Sequence, residues 1–235
     1  MQSGPGKAGA IATAINRATT PYMLVMDGDG TYSSVNASRL LQFEEFDEVI
    51  GARENGRDNI PRLNRVGNWL LSRLFQLLFI SPITDVCSGM YLLRTGFARR
   101  IQIASTAFDV EVEIASQAAS RGRITQVPIT YGKRTGEQKL KAFSDGVRIF
   151  RTLIWMASFY NAGLFFGTIA ALAAIPGIVL LLLAGYEDLV NHILLPWHLV
   201  VAIILLLIGL QGGSLALMSL LFKRSEHRII EEITR

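Results

Sequence analysis

The chain has one cysteine, Cys87, among its 235 residues, which excludes an internal disulfide and any metal centre built on paired thiolates. That residue reads as a small buried side chain. Charge is scarce, at 18% of residues, and two long stretches, 152–185 and 193–222, contain no Asp, Glu, Lys or Arg. Each exceeds the roughly 20 apolar residues that cross a hydrocarbon core, and two in tandem argue against a buried soluble helix. Residues 1–7 lack the apolar core of a signal peptide, and the chain has no internal repeat or low-complexity tract. A P-loop is excluded as well: in Gly4-Pro5-Gly6-Lys7-Ala8-Gly9 the position after the lysine is Ala8, and Met1 stands where the leading glycine is required. A glycine-rich entry to a helix N-terminus, with Lys7 beside it, still suits an anion. The net charge of +4 and pI near 9.4 come from basic residues scattered around glycine-rich loops and apolar runs. That pattern fits phosphate-bearing ligands and anionic headgroups better than nucleic acid.

What is present divides into an α/β part and a membrane part. Helical patterns over 8–19, 34–46, 61–79 and 108–120 alternate with short strands over 22–26, 48–50, 91–93 and 124–130, with a polar loop over 51–61; this alternation predicts an α/β sheet with crossovers. In the helix from Pro61, Leu63, Val66, Leu70 and Leu74 recur at three or four, with Arg62, Arg65 and Arg73 elsewhere on its surface. Residues 143–158 are amphipathic and run directly toward the first apolar stretch, which predicts an interfacial helix. Two spans follow, near 162–184 and 195–222, the first containing Pro176-Gly177, joined by a short link with Glu187 and Asp188. Arg148 and Arg151 precede the pair and Lys223, Arg224 and Arg228 follow it, so the positive-inside rule predicts a cytoplasmic soluble part and cytoplasmic termini.

Asp27-Gly28-Asp29 ends a predicted strand, where open α/β sheets bind their ligands. Two carboxylates separated by a glycine that lets the backbone turn can direct oxygens at Mg2+ or Mn2+, which in turn holds a diphosphate; an acidic turn is the plainer reading. An EF-hand is excluded, since the sixth and twelfth positions are Tyr32 and Ser38. Arg53, Arg57, Arg62 and Arg65 form a cluster able to clamp a phosphate, or a solvated basic face. The basic loop at 134–140 reads either as a flap over a phosphorylated substrate or as a contact for lipid headgroups.

The order of these segments carries more than any one of them: Gly-Lys-Ala-Gly-Ala-Ile, Asp27-Gly28-Asp29-Gly30-Thr31-Tyr32, Val49-Ile50-Gly51-Ala52-Arg53, Asp85-Val86-Cys87-Ser88-Gly89-Met90-Tyr91, Phe108-Asp109-Val110-Glu111, Val127-Pro128-Ile129, and Arg134-Thr135-Gly136-Glu137-Gln138-Lys139-Leu140. The series resembles the inverting family 2 glycosyltransferases that make polyprenyl-phosphate sugars, the dolichol-phosphate mannose or glucose synthases, particularly archaeal forms serving protein glycosylation. The resemblance implies a Rossmann-like GT-A domain (1–142) lacking its first strands, an interfacial helix (143–161), a two-helix transmembrane hairpin (162–222) and a cytoplasmic tail (223–235). It implies transfer of a hexose from UDP-glucose or GDP-mannose to a polyprenyl or dolichyl phosphate, with Mg2+ or Mn2+, at the cytoplasmic membrane face. A catalytically inactive membrane subunit or fragment is the alternative, and a homo-oligomer formed through the membrane helices is compatible with either.

Carried over by position, Asp27 and Asp29 hold the metal, with Asp29 its principal ligand. Asp27, Gly28, Asp29, Arg53, Arg134 and Lys139 bind the donor diphosphate, and Arg65 and Ser88 the acceptor phosphate. Asp29 and Arg53 act on the reacting groups, and Asp85 and Asp109 are the carboxylates to test for a base role. No Gln-x-x-Arg-Trp signature of processive synthases is present, because none of Trp69, Trp155 and Trp197 follows an arginine.

Overall fold

A computed structural model describes residues 6–105, 108–136, 142–191 and 196–233. These form two units, 1–160 and 161–235. The first unit opens with α1 (Gly6–Arg17), whose Ala8, Ile11 and Ile15 are buried, and β1 (Tyr22–Met26). Then come α2 (Val35–Leu41), β2 (Glu48–Asn55), a 3-10 turn (Arg57–Asn59) and α3 (Arg62–Phe79). The unit continues through β3 (Met90–Arg94), the short α4 (Thr95–Ala98), α5 (Val110–Arg121), β4 (Ile124–Thr130) and α6 (Ala142–Tyr160).

The four strands form one mixed sheet in the order β1-β3-β2-β4. β3 runs antiparallel to both neighbours, and β2 pairs parallel with β4. The predicted loop from Gly51 is strand as far as Asn55, because Gly51, Ala52 and Arg53 stand opposite Val127, Pro128 and Ile129. Gly51 packs closely against its neighbours: a Cβ there would lie 2.7 Å from Ile129 Cδ1 and 3.2 Å from the Met90 carbonyl oxygen. Tyr32, Leu40, Val49, Met90, Leu92 and Ile129 belong to one apolar cluster of the core. On α6, Leu153, Met156 and Ala157 are buried, and this helix packs on α5 and α3.

The sequence pattern of α3 is not its core face. The buried residues are Leu71, Ser72, Phe75, Leu78 and Phe79, whereas Leu63, Val66 and Leu70 are exposed.

The second unit is a pair of helices, α7 (Ala162–Asn191) and α8 (Pro196–Ile233). Segments Ala162–Val190 and Pro196–Phe222 are long and apolar enough to cross a membrane. Pro176 lies inside α7, and Glu187 and Asp188 belong to its last turns. Small residues let the pair approach: a Cβ on Gly209 would lie 2.8 Å from Ala174 Cβ, and one on Gly212 would lie 3.1 Å from Ala170 Cβ.

Candidate active site

β1 ends at Met26, and the chain turns at its carboxyl end. The Asp27 N–H donates to the Gly89 carbonyl at 3.1 Å, extending the β1–β3 ladder by one bond. Gly89 presses on the carboxylate itself: a Cβ there would lie 2.2 Å from Asp27 Oδ2. Gly28 needs none of glycine's freedom, having open space around it and no positive φ; Gly30, at φ 77°, takes the left-handed conformation that turns the chain.

Each carboxylate of the turn faces a cation. Lys7, on the first turn of α1, donates to Asp27 Oδ1 at 2.6 Å and also pairs with the buried Glu111 of α5. Burial opposes the ammonium charge, but Glu111 and Asp27 outweigh it and hold the Lys7 pKa above its ordinary value. Burial dominates at Glu111, whose pKa is raised despite Lys7. Asp29 Oδ1 accepts from the Thr31 N–H (3.1 Å) and hydroxyl (2.5 Å), and Oδ2 faces Arg134 at 2.9 Å. Burial is the largest single influence on Asp29 and opposes its charge, but the two Thr31 hydrogen bonds and Arg134 together outweigh it and lower the pKa. The Thr135 N–H donates to the Asp29 carbonyl at 2.9 Å and the Gly132 N–H to the Thr31 carbonyl at 2.7 Å, so the segment after β4 lies on the acidic turn.

Arg53 and Asp85 face each other. The Arg53 guanidinium donates to Asp85 Oδ2 (2.7 Å) and Oδ1 (2.6 Å), and its backbone N–H donates to Oδ2 at 2.9 Å. Both side chains are buried, and although burial disfavours the guanidinium charge, Asp85 raises the Arg53 pKa well above its ordinary value. Arg53 also lines a cavity of about 250 Å³ with Arg57, Ile60, Arg65, Val66 and Trp69. Arg65 pairs with Asp58 at 2.5 Å. Ser88 is buried, its hydroxyl donating to the Gly51 carbonyl at 2.6 Å. Asp109 accepts from the Thr152 hydroxyl of α6 at 2.9 Å, and its other oxygen is buried with no partner among the described residues. Lys139 lies outside the described residues. Sequence reasoning did not single out Glu111 as a site residue; only Lys7, flagged as an anion contact, could have led to it.

No protein-family model matches the chain. Curated proteins do. Over 99% of its length the chain is 32% identical to glycosyltransferase AglJ of Haloferax volcanii, covering 80% of that protein. Over 65% of its length it is 30% identical to a dolichyl-phosphate hexose transferase of the same organism, covering 68% of it.

The chain belongs to the archaeal family 2 glycosyltransferases.

Its sheet has the fold of solved GT-A enzymes. Glucosyl-3-phosphoglycerate synthase from Mycobacterium tuberculosis, solved with Mn2+, UDP and phosphoglyceric acid, superposes with a TM-score of 0.52 at 17% identity, over 67% of this chain and 56% of that one. The chain thus spans little more than half of that structure, and the likeness shows the fold alone. As a glycosyltransferase, this protein carries its acidic turn at the end of a sheet strand and an arginine-lined cavity on α3.

Proposed function

We propose that this glycosyltransferase moves a hexose from a nucleotide sugar, UDP-glucose or GDP-mannose, to a polyprenyl or dolichyl phosphate at the cytoplasmic membrane surface, with inversion at the anomeric carbon. The observation that carries this reading is the five-residue segment 85–89, which joins two kinds of site. Gly89 abuts the Asp27 carboxylate, while Asp85 fixes Arg53 in the wall of the cavity. Acidic turn and cavity are therefore linked by one short segment, as neighbouring donor and acceptor sites would be.

The residues at the turn suit a divalent cation that completes its shell with diphosphate oxygens. Two carboxylates are present, and no cluster of three or more His, Cys, Asp or Glu occurs among the described residues; Mg2+ in particular is commonly held by one or two carboxylates plus substrate phosphates. Asp29 and Asp27 would hold it, and when bound it neutralises charge on the departing diphosphate. Lys7 and Arg134 rest on those carboxylates and are within reach of the same diphosphate. The cavity suits the acceptor: Arg53, Arg57 and Arg65 face a phosphate, and Ile60, Val66 and Trp69 offer apolar walls to the first isoprene units. A phosphate oxygen is ionised near neutral pH, so alignment and leaving-group stabilisation dominate over base strength. Asp85, with both oxygens on Arg53, then acts by orienting that arginine. α6 lies at the interface between this unit and the bilayer.

The test supplies labelled UDP-glucose or GDP-mannose and polyprenyl phosphate to the full chain in proteoliposomes with Mn2+. Formation of a labelled glycolipid from one of the two donors is expected. Absence of glycolipid from folded protein with either donor would sink the proposed reaction.

A further inference from the structure

Two buried glutamates on the first turn of α5 are engaged differently. Glu113 accepts from the backbone N–H groups of Ala104 (2.8 Å) and Ser105 (2.9 Å), one on each oxygen, and so ties the preceding segment to the helix. Glu111 pairs instead with the Lys7 ammonium, which in turn rests on Asp27 at 2.6 Å. Lys7 therefore bridges a carboxylate of the acidic turn and a carboxylate of the core. As a stabilising device this bridge is poor, because desolvation of a buried ion pair cancels most of its attraction, and an apolar pair of similar volume serves a core as well or better. Glu111 also repels Glu48, which is buried with an Oε2 that has no partner among the described residues. A charge held at such cost has its use at the turn. There Asp27, Asp29 and Glu111 carry three negative charges and Lys7 and Arg134 two positive ones, a net charge of −1. Without Glu111 the same groups sum to zero.

We propose that Glu111 is a positioning residue for the donor: it holds the Lys7 ammonium beside the turn, where it meets the diphosphate, and leaves the turn with the negative charge that draws in a divalent cation. Two physical consequences follow. A lysine shared between two carboxylates gives up Asp27 to a metal more readily than one paired with Asp27 alone, because its charge keeps a partner in Glu111. The ammonium has three donors, so one left on Glu111 still allows a charge-assisted bond to a diphosphate oxygen. Both effects reach the turn through a part-buried site, where charges act on each other more strongly than in water. The inference rests on reading the acidic turn as a metal and diphosphate site. It does not involve the acceptor, so transfer to a lipid phosphate can fail while this role stands.

The test measures, by calorimetry on the full chain in detergent, binding of Mn2+ alone and of UDP or GDP in the presence of Mn2+. The variants are Glu111→Gln, Lys7→Met and the two combined, with thermal midpoints recorded for each. Glu111→Gln should bind Mn2+ more weakly and the nucleoside diphosphate about tenfold more weakly. Lys7→Met should lose nucleoside diphosphate affinity by a similar factor. The combined variant should bind the nucleoside diphosphate no more weakly than Lys7→Met, because Glu111 acts through Lys7; independent effects would multiply to about a hundredfold. Glu111→Asp keeps the charge and shortens its reach by one methylene, so it should stay closer to the parent than Glu111→Gln in Mn2+ affinity and still lose nucleoside diphosphate affinity. Glu113→Gln is the structural comparison, expected to lower the thermal midpoint at parental nucleotide affinity. Parental nucleotide affinity in folded Glu111→Gln or Glu111→Asp overturns the proposal, and so does a multiplicative loss in the combined variant. A parent chain that binds neither Mn2+ nor nucleoside diphosphate overturns the reading of the turn, and this role with it.

Discussion

Gly89→Ala tests the acidic turn with a single methyl group. No positive φ is required at this glycine, so alanine costs nothing in backbone conformation, and the whole effect is steric. The new Cβ would lie 2.2 Å from Asp27 Oδ2, 2.6 Å from Cγ and 3.1 Å from Oδ1, against an ordinary contact of at least 3.4 Å. The carboxylate must therefore retreat by about 1.2 Å, the difference between 3.4 and 2.2 Å. Retreat disturbs the 2.6 Å pair with Lys7 and takes one of two candidate metal ligands out of register. A displacement of about 1 Å at a reacting centre costs about 10²-fold in rate, or about 2.7 kcal/mol of transition-state stabilisation. The assay is initial rate of glycolipid formation against Mn2+ concentration, with Mn2+ binding in the presence of nucleoside diphosphate followed by electron paramagnetic resonance. Gly96→Ala on α4, away from the turn, is the control, since a Cβ there meets nothing within 4 Å, and it should stay within a few-fold of the parent. A folded Gly89→Ala protein with parental Mn2+ affinity and rate would refute the assignment of Asp27.

Three further outcomes follow from buried or paired charges. Asp85→Ala leaves the Arg53 guanidinium buried without its partner, and loss of about 3–5 kcal/mol is expected, read as a lower thermal midpoint; the Arg53→Met/Asp85→Leu double variant should lose much less than the two single losses summed. Glu48 is buried, and burial followed by repulsion from Glu111 raises its pKa well above the ordinary value. The folded state thus holds this proton more tightly than the unfolded chain, and stability falls as pH rises from the ordinary carboxylate range through the raised value, at up to about 1.4 kcal/mol per pH unit. Glu48→Gln should flatten that slope in a series of thermal midpoints against pH. Arg134→Gln removes the cation resting on Asp29 Oδ2: Mn2+ alone should bind more tightly while the Mn2+–nucleoside diphosphate complex binds about tenfold more weakly, and two changes of the same sign in calorimetry would contradict the arrangement.

Much of the sheet was legible because strand composition and turn residues agree: Tyr22–Met26 and Ile124–Thr130 were predicted with the bounds the structure has. Composition alone ends β2 at Ile50, because Gly51, Arg53 and Asn55 look like loop residues. Burial of Gly51 is explained only by Ile129 across the sheet, and burial of Arg53 only by Asp85 on a later segment. Long-range pairing of this kind leaves no local signal. Lys7 and Glu111 are the same case at the site, since the two ends of that ion pair lie on the first and fifth helices. The acidic turn was legible as a pair of carboxylates, but the glycine that turns it is Gly30, and the cations on it come from residues far along the chain. In α3, periodicity found an apolar face that is not the core face, because an exposed stripe has the same spacing as a buried one.

That helix also lines the cavity, through Arg65, Val66 and Trp69. On the proposed reaction, the acceptor's chain stays in the hydrocarbon while its phosphate reaches the arginines of this cavity. The relevant acceptor concentration is then the surface one. In vesicles at fixed protein per vesicle, diluting the acceptor with inert lipid while keeping its bulk concentration constant should lower the initial rate in proportion to mole fraction below saturation. Adding more vesicles of unchanged composition, with protein added in step, should leave the rate per protein unchanged. A rate that follows bulk acceptor concentration at constant mole fraction would mean that the acceptor reaches the cavity through water.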